Sequence, residues 1–209
     1  IAAAWKHFVE KVKAFLTRIA ESMKNIATKF SAKMATRMAG KNSDVKVKIL
    51  KSQKDNLNAL SDFESLFNSL NADNAKQISE EIKNKLTVHN KNNGWAEVSA
   101  NEIKSWMGTV SSTLKSATNA LKKVDAAVNT AIRDGEPDAR TKMADSRSAI
   151  TNGMSAIRTA VSDLTKAISD FVADKKETAK KAKKDERAAA KAQRAAQNVA
   201  KNNPEAEVL

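Results

Sequence analysis

The fold is decided by residues 99–171, which read SANEIKSWMGTVSSTLKSATNALKKVDAAVNTAIRDGEPDARTKMADSRSAITNGMSAIRTAVSDLTKAISDF. Apolar residues recur here at alternating spacings of three and four on both sides of the loop Asp134–Asp138. That spacing is typical of amphipathic helices, and Gly, Pro and Asp in the loop are typical of a turn. Ser99 and Glu102 have the spacing of a capping box at the start of the first helix. The stretch therefore predicts two long helices, the first ending near Arg133, joined as an αα-hairpin.

Antiparallel packing of these two helices would bring apolar residues together along most of their length. The predicted pairs are Leu121 with Ile150, Leu114 with Ile157, Val110 with Val161, and Ile103 with Ile168. At about 1.5 Å per residue, the hairpin would be about 45–50 Å long. Because such a hairpin is narrow, it needs further helices or partner copies to cover it. Trp95 and Trp106 flank the start of the first helix, and we expect them to close the end of the bundle.

Outward from the hairpin, the apolar pattern predicts three more helices. The first covers roughly Ala4 to Ala39, the second runs from Ser43 or Asp44 to Leu70, and the third begins at Ala75. The asparagine-rich segment 89–94 has the composition of a loop. We therefore predict an all-α fold, an elongated antiparallel helical bundle with a basic C-terminal extension that is either helical or disordered. The predicted divisions of the chain are residues 1–40, 41–94, 95–173 and 174–209.

The composition excludes several classes of protein. The chain has 209 residues with no cysteine, five glycines and two prolines. Without cysteine there is no disulfide framework, thiolate metal site or cysteine nucleophile, and so few glycines and prolines do not supply the turns of a β-sandwich or barrel. The two histidines, His7 and His89, lack partners at ligand spacing. The sequence carries no phosphate-binding, dinucleotide-binding or nucleophile-elbow motif. It therefore predicts a protein that is not an enzyme and has no metal site, cofactor or small-molecule substrate.

Positive charge is concentrated at the two ends of the chain. The formal net charge is +13, of which residues 1–40 contribute +6 and residues 174–203 another +6, whereas the long middle part is nearly balanced. A solvated helical surface usually mixes both signs. Cationic ends on a balanced body favour a polyanionic partner.

The C-terminal segment is rich in lysine and alanine, and Val199 is its only large aliphatic residue between 175 and 203. Lysine and arginine without aromatic residues suit sequence-independent neutralisation of phosphates on double-stranded DNA. The alternative is a solubilising tail that binds nothing specific. We call the following ten cations the basic tract and predict that they bind nucleic acid: Lys175, Lys176, Lys180, Lys181, Lys183, Lys184, Arg187, Lys191, Arg194 and Lys201.

The apolar stripe of the first helix has three interpretations. It is a wall of the bundle, a contact face for another protein, or a face that lies on a membrane surface, since Trp and Phe opposite Lys and Arg are typical of interfacial helices. The residues predicted to make such a protein or membrane contact are Trp5, Phe8, Val12, Phe15 and Ile19.

The two ends of the chain together resemble a known family. The start Trp5-Lys6-His7-Phe8-Val9-Glu10-Lys11-Val12-Lys13-Ala14-Phe15-Leu16, the absence of cysteine and the Lys/Ala-rich end resemble the proteolytically matured internal head proteins of large tailed bacteriophages. The resemblance implies a basic, non-enzymatic protein packaged inside the capsid with the genome. It also implies removal of a propeptide by a head-maturation protease, and a place on the inner surface of the shell or within the packaged DNA.

The functional prediction is therefore a structural protein of the virion interior. Its expected partners are capsid or sister subunits and double-stranded DNA bound without sequence preference. The alternative is a helical protein that acts on a membrane surface, located at that surface or in the bacterial cytoplasm.

Overall fold

A computed structural model describes residues 1–39, 46–89 and 94–202, with side chains described within 1–36, 46–86, 94–173 and 183–197. The described residues form six α-helices and two short β-strands. The elements are α1 (Ala2–Ala39), β1 (Val47–Leu50), α2 (Lys51–Asn58), α3 (Leu60–Ser69), α4 (Ala75–His89), β2 (Trp95–Val98), α5 (Ala100–Arg133) and α6 (Ala139–Asn202). The chain divides into two compact units, Ile1–Phe171 and Val172–Leu209.

The predicted all-α class is confirmed, because almost every described residue outside the connections is helical. The predicted cap at the start of α5 is also present. The Ser99 Oγ accepts a hydrogen bond from the Glu102 N–H at 3.2 Å, and the Glu102 carboxylate accepts one from the Ser99 N–H at 2.8 Å. Two of the four unpaired amide groups around the helix start are satisfied in this way.

The predicted second helix is wrong in its first part. Residues Val47–Leu50 form strand β1, which pairs antiparallel with β2 in the register Val47 with Val98 and Leu50 with Trp95. The remainder is divided into α2 and α3, which meet at Ala59. A run as short as Val-Lys-Ile-Leu fits a helix or a strand equally well by its periodicity. The predicted start at Ser43 or Asp44 lies outside the described residues.

The connection between α5 and α6 is a tight turn. Gly135 has φ of +68°, a left-handed conformation that glycine adopts without the steric penalty of a side chain. All eight residues of the four predicted α5–α6 pairs are buried. Direct packing of each pair stays a prediction, because α1 and α3 both contact each of the two helices.

The contacts of α1 establish the directions of the long helices. Trp5 near the start of α1 contacts Asp125 near the end of α5, and Ala20, further along α1, lines the same groove as Leu114 in the first half of α5, so these two helices run antiparallel. Along α6, in contrast, Phe8 contacts Arg147 and Phe30 contacts Phe171, so α1 and α6 run parallel. It follows that α5 and the first part of α6 point in opposite directions, whereas their packing against each other as one long hairpin stays a prediction.

A close approach between α3 and α6 requires glycine at position 153. A methyl group at Gly153 would collide with the ring of Phe67, which is itself buried in the core. Because a packed ring cannot move aside without displacing its neighbours, we expect Gly153→Ala to lower the free energy of unfolding by about 1–3 kcal/mol. Urea unfolding followed by circular dichroism measures this change.

Gly108 in α5 provides the matched control. A methyl group there would meet no atom within 4 Å. Gly108→Ala is therefore expected to raise the stability by about 0.5–1 kcal/mol, because alanine has the higher helix propensity. Equal effects of the two substitutions would show that Phe67 does not pack against Gly153.

Candidate functional site

The basic tract lies in the last part of α6. Five of its ten cations have described side chains, and all five are exposed: Lys183, Lys184, Arg187, Lys191 and Arg194. Indeed, every side chain from 183 to 197 is exposed. The side chains of the other five, Lys175, Lys176, Lys180, Lys181 and Lys201, lie outside the described ones.

The five described cations share one face of the helix, which we call the basic face. Lys183, Arg187, Lys191 and Arg194 follow one another at steps of four, four and three, and Lys184 lies two turns before Lys191. All five side chains therefore project within about one third of the helix circumference. Along the axis they are spaced by about 6 Å or less. None of the ion pairs between described residues includes any member of the basic face. Sequence analysis counted these cations but did not identify their common face, although the spacing was readable.

The predicted contact residues at the start of α1 are instead part of the core. Trp5 is 1% exposed, and its Nε1 donates a hydrogen bond to the Asp125 Oδ1 at 2.9 Å. Phe8 and Val12 are also buried. The assignment of these three side chains to a membrane or a partner therefore needs correction. Their apolar surface is already covered within the same chain, so almost none of it is left to contact a membrane or a partner.

Phe15 and Ile19, the other two predicted contact residues, are partly exposed. They line a shallow groove between α1 and α6, together with Phe8, Val12 and Met154. Arg158 places its guanidinium 5.2 Å from the centre of the Phe15 ring, and Arg147 stands 5.3 Å from that of Phe8. These cation–π contacts cover aromatic faces on the α6 side of α1. Sequence analysis missed both arginines, because they are about 140 positions away from their rings.

The two tryptophans beside the start of α5 differ in placement. Trp106 is buried, and its Nε1 donates a hydrogen bond to the Asn58 Oδ1 at 3.1 Å. Trp95 is 66% exposed in β2. The prediction that both residues close the end of the bundle is wrong for Trp95, because alternate residues of a strand point to opposite sides and Trp95 lies on the outward side.

Two ionisable groups of the first unit, Lys142 and Glu102, have shifted pKa values because of their hydrogen bonds and ion pairs. The Lys142 ammonium lies 2.8 Å from a Glu136 carboxylate oxygen and 3.5 Å from oxygens of Asp138 and Asp73, which raises the pKa of Lys142. At Glu102, burial alone would raise the pKa, but the hydrogen bonds from Ser99 and the Lys54 ammonium outweigh it, so the pKa is lowered. Carboxylates near the α5–α6 turn are thus matched by a cation of the same chain.

Asp163 is the exception, since its surroundings disfavour its charge. Burial raises its pKa, and hydrogen bonds from Asn56 and Gln53 and the charge of Lys166 offset this only in part. A carboxyl group whose pKa is higher in the folded than in the unfolded state stabilises the fold at a pH below its unfolded pKa. This stabilisation is lost as the pH rises through the folded pKa. Asp163→Asn is therefore expected to raise the free energy of unfolding at pH 7 by up to about 1 kcal/mol. The asparagine side chain keeps an oxygen that can accept the hydrogen bond from the Asn56 Nδ2.

Urea titrations at neutral and acidic pH test this expectation. The difference between Asp163→Asn and the parent protein should shrink at acidic pH, where the carboxyl group is protonated in both states. Glu21→Gln is the control, since it also replaces a carboxylate by an amide, at a side chain that is exposed on α1. The expectation would be contradicted if Asp163→Asn stabilised the protein less at pH 7 than at acidic pH.

Metal-binding clusters and membrane-spanning helices are both absent from the residues that the structure describes. Histidine, aspartate and glutamate side chains there do not gather into a group that could hold a metal ion. Among the described helices, none combines the length and the apolar character needed to cross a bilayer. No family model, curated protein or solved structure matches the chain.

Proposed function

We propose that this chain is a non-enzymatic structural protein that binds double-stranded DNA without sequence preference through the basic tract. The observation that carries the proposal is the basic face, with its exposed cations on one side of a helix and no carboxylate partners among the described ion pairs. Cations arranged in this way replace the counterions of several phosphates at once. Because contacts to phosphates carry no information about the bases, binding through them is independent of sequence.

Salt-dependent binding tests the proposal. Fluorescence anisotropy with two unrelated labelled duplexes should give dissociation constants that agree within about threefold. The logarithm of the affinity should fall linearly with the logarithm of the salt concentration, with a slope near −0.9 for each phosphate contacted. DNA that stays free with micromolar protein at about 50 mM salt would overturn the proposal.

The more specific proposal is an internal capsid protein of a large tailed phage. Its support is the resemblance of the two chain ends to such proteins and the concentration of positive charge there. In particles that contain the protein, protease should leave it intact until the shell is opened. Digestion of the protein in closed particles would contradict an internal position.

A membrane-surface function is the second candidate. Its support is the partly exposed pair Phe15 and Ile19, which share the α1–α6 groove with the cations Lys11 and Arg18. Vesicles that contain anionic lipid should then bind the protein, and Phe15→Ser with Ile19→Ser should reduce that binding. If vesicles of this kind leave the protein in the supernatant on sedimentation, the candidate is excluded.

A further inference from the structure

A second groove runs along the opposite flank of α1, between α1 and α5. It has a volume of about 500 Å³. Its floor is apolar and consists of Leu16 and Ala20 from α1 with Leu114 and Leu121 from α5. Its sides carry Lys13 from α1 and Lys115 and Lys122 from α5. We call it the lysine groove.

The charged residues that line the lysine groove are all cations. No carboxylate is among its lining residues, and none of its three lysines takes part in the ion pairs between described residues. In the same unit, Lys54, Lys85 and Lys142 have carboxylate partners, whereas other exposed lysines such as Lys48 and Lys51 take part in none of these ion pairs. An apolar floor between unpaired cations is complementary to a ligand with an apolar stripe and negative charges on both sides.

The shape of the groove favours a helix as the occupant. A groove between two packed helices accepts the side-chain ridge of a third helix. Lys115 and Lys122 are seven residues apart, two turns along one wall, and Lys13 stands on the other wall. Duplex DNA has no apolar stripe to cover the leucines, and a flat bilayer surface would contact the rims before the floor.

From this geometry we propose that the lysine groove binds an acidic amphipathic helix of another protein. Leucine-like side chains of that helix, at spacings of three and four, pack on Ala20 and on the remaining exposed edges of Leu16 and Leu114, which are 7% and 8% exposed. Glutamate or aspartate on its two flanks pairs with Lys13 on one wall and with Lys115 and Lys122 on the other. The proposal does not depend on DNA binding, which we assign to the basic tract in the other unit of the chain.

A designed peptide tests the proposal on the full-length protein. The probe is a fluorescein-labelled amphipathic peptide of about 20 residues, with leucine at helical spacing and glutamate on both flanks. A second peptide with glutamine in place of glutamate serves as the uncharged comparison. Anisotropy should show saturable binding of the glutamate peptide and binding at least about tenfold weaker for the glutamine peptide.

Variants of the groove locate the binding. The triple variant Lys13→Gln, Lys115→Gln and Lys122→Gln should bind the glutamate peptide about 10- to 100-fold more weakly than the parent protein does. This is the range expected for the loss of three partly exposed ion pairs. Its matched control removes three exposed lysines elsewhere, Lys48, Lys51 and Lys76. That control should bind the peptide as the parent protein does, within about twofold.

A variant that blocks the groove shows whether the peptide needs the groove itself or only the positive charge around it. Ala20 is exposed on α1 and lines the groove, so Ala20→Arg fills the floor while keeping the positive charge and the helix. It should abolish peptide binding. Equal binding by Ala20→Arg and the parent, or equal weakening by the two triple variants, would overturn the proposal. So would vesicles of anionic lipid that bind through the three groove lysines while the peptide does not.

Discussion

Replacing the five cations of the basic face by glutamine is expected to weaken DNA binding by at least about 100-fold at about 50 mM salt. The variant carries the substitutions Lys183→Gln, Lys184→Gln, Arg187→Gln, Lys191→Gln and Arg194→Gln. Each phosphate contact that is lost removes one released counterion, so the salt slope should become shallower by up to about 4.5. Anisotropy titrations at several salt concentrations measure both quantities. Glutamine has a helix propensity close to that of lysine and arginine, so the helix itself should persist.

The control variant loses the same five charges from other exposed positions. Its substitutions are Lys48→Gln, Lys51→Gln, Lys76→Gln, Lys104→Gln and Arg140→Gln. It should keep the salt slope of the parent within about one unit, because long-range attraction by net charge is largely screened beyond a Debye length. If the two variants lose affinity equally, DNA binding depends on net charge, and the basic face has no special role.

Local signals in the sequence were sufficient for the start of α5 and for the turn that ends it. Ser99 and Glu102 are three residues apart, so the chemistry of the cap is complete within one turn of helix. The turn after Arg133 was equally local, since Gly135 supplies its left-handed conformation. These features could be read from single windows of sequence because their interaction partners lie within a few residues.

Features that depend on distant partners could not be read in this way. Strand β1 forms because Val47 pairs with Val98, and the residues next to Val47 in the sequence do not indicate that pairing. The stripe of α1 was equally ambiguous, since its period shows that Trp5 and Phe8 share a face but not what covers them. Asp125 and Arg147, which contact these two rings, are more than 100 positions away.

For the candidate site, the sequence supplied the residues but not their arrangement. The lysines and arginines of the basic tract follow from composition alone, and their common face needs the helix as well. The lysine groove depends on two helices, because Lys13 comes from α1 and Lys122 from α5. Its cationic character emerges only when the antiparallel directions of these helices are known.

Trp5→Ala is expected to lower the free energy of unfolding by about 3–5 kcal/mol. The indole is 1% exposed, and its ring centroid lies 5.5 Å from that of Phe8. Truncation would leave a large cavity where α1 meets α5, and would remove the N–H donor that faces the Asp125 carboxylate. Urea unfolding followed by far-ultraviolet circular dichroism measures the loss without relying on tryptophan emission.

Trp95→Ala is the matched control, since it makes the same chemical change at a side chain that is 66% exposed. Its effect should stay within about 0.5 kcal/mol. Trp5→Phe should lose less stability than Trp5→Ala, because it keeps most of the buried ring while removing the hydrogen bond to Asp125. If Trp5→Ala were as stable as Trp95→Ala, the first turns of α1 would not belong to the core. The stripe would then be free for a partner or a membrane, so this one measurement decides between the interpretations that the periodicity of α1 left open.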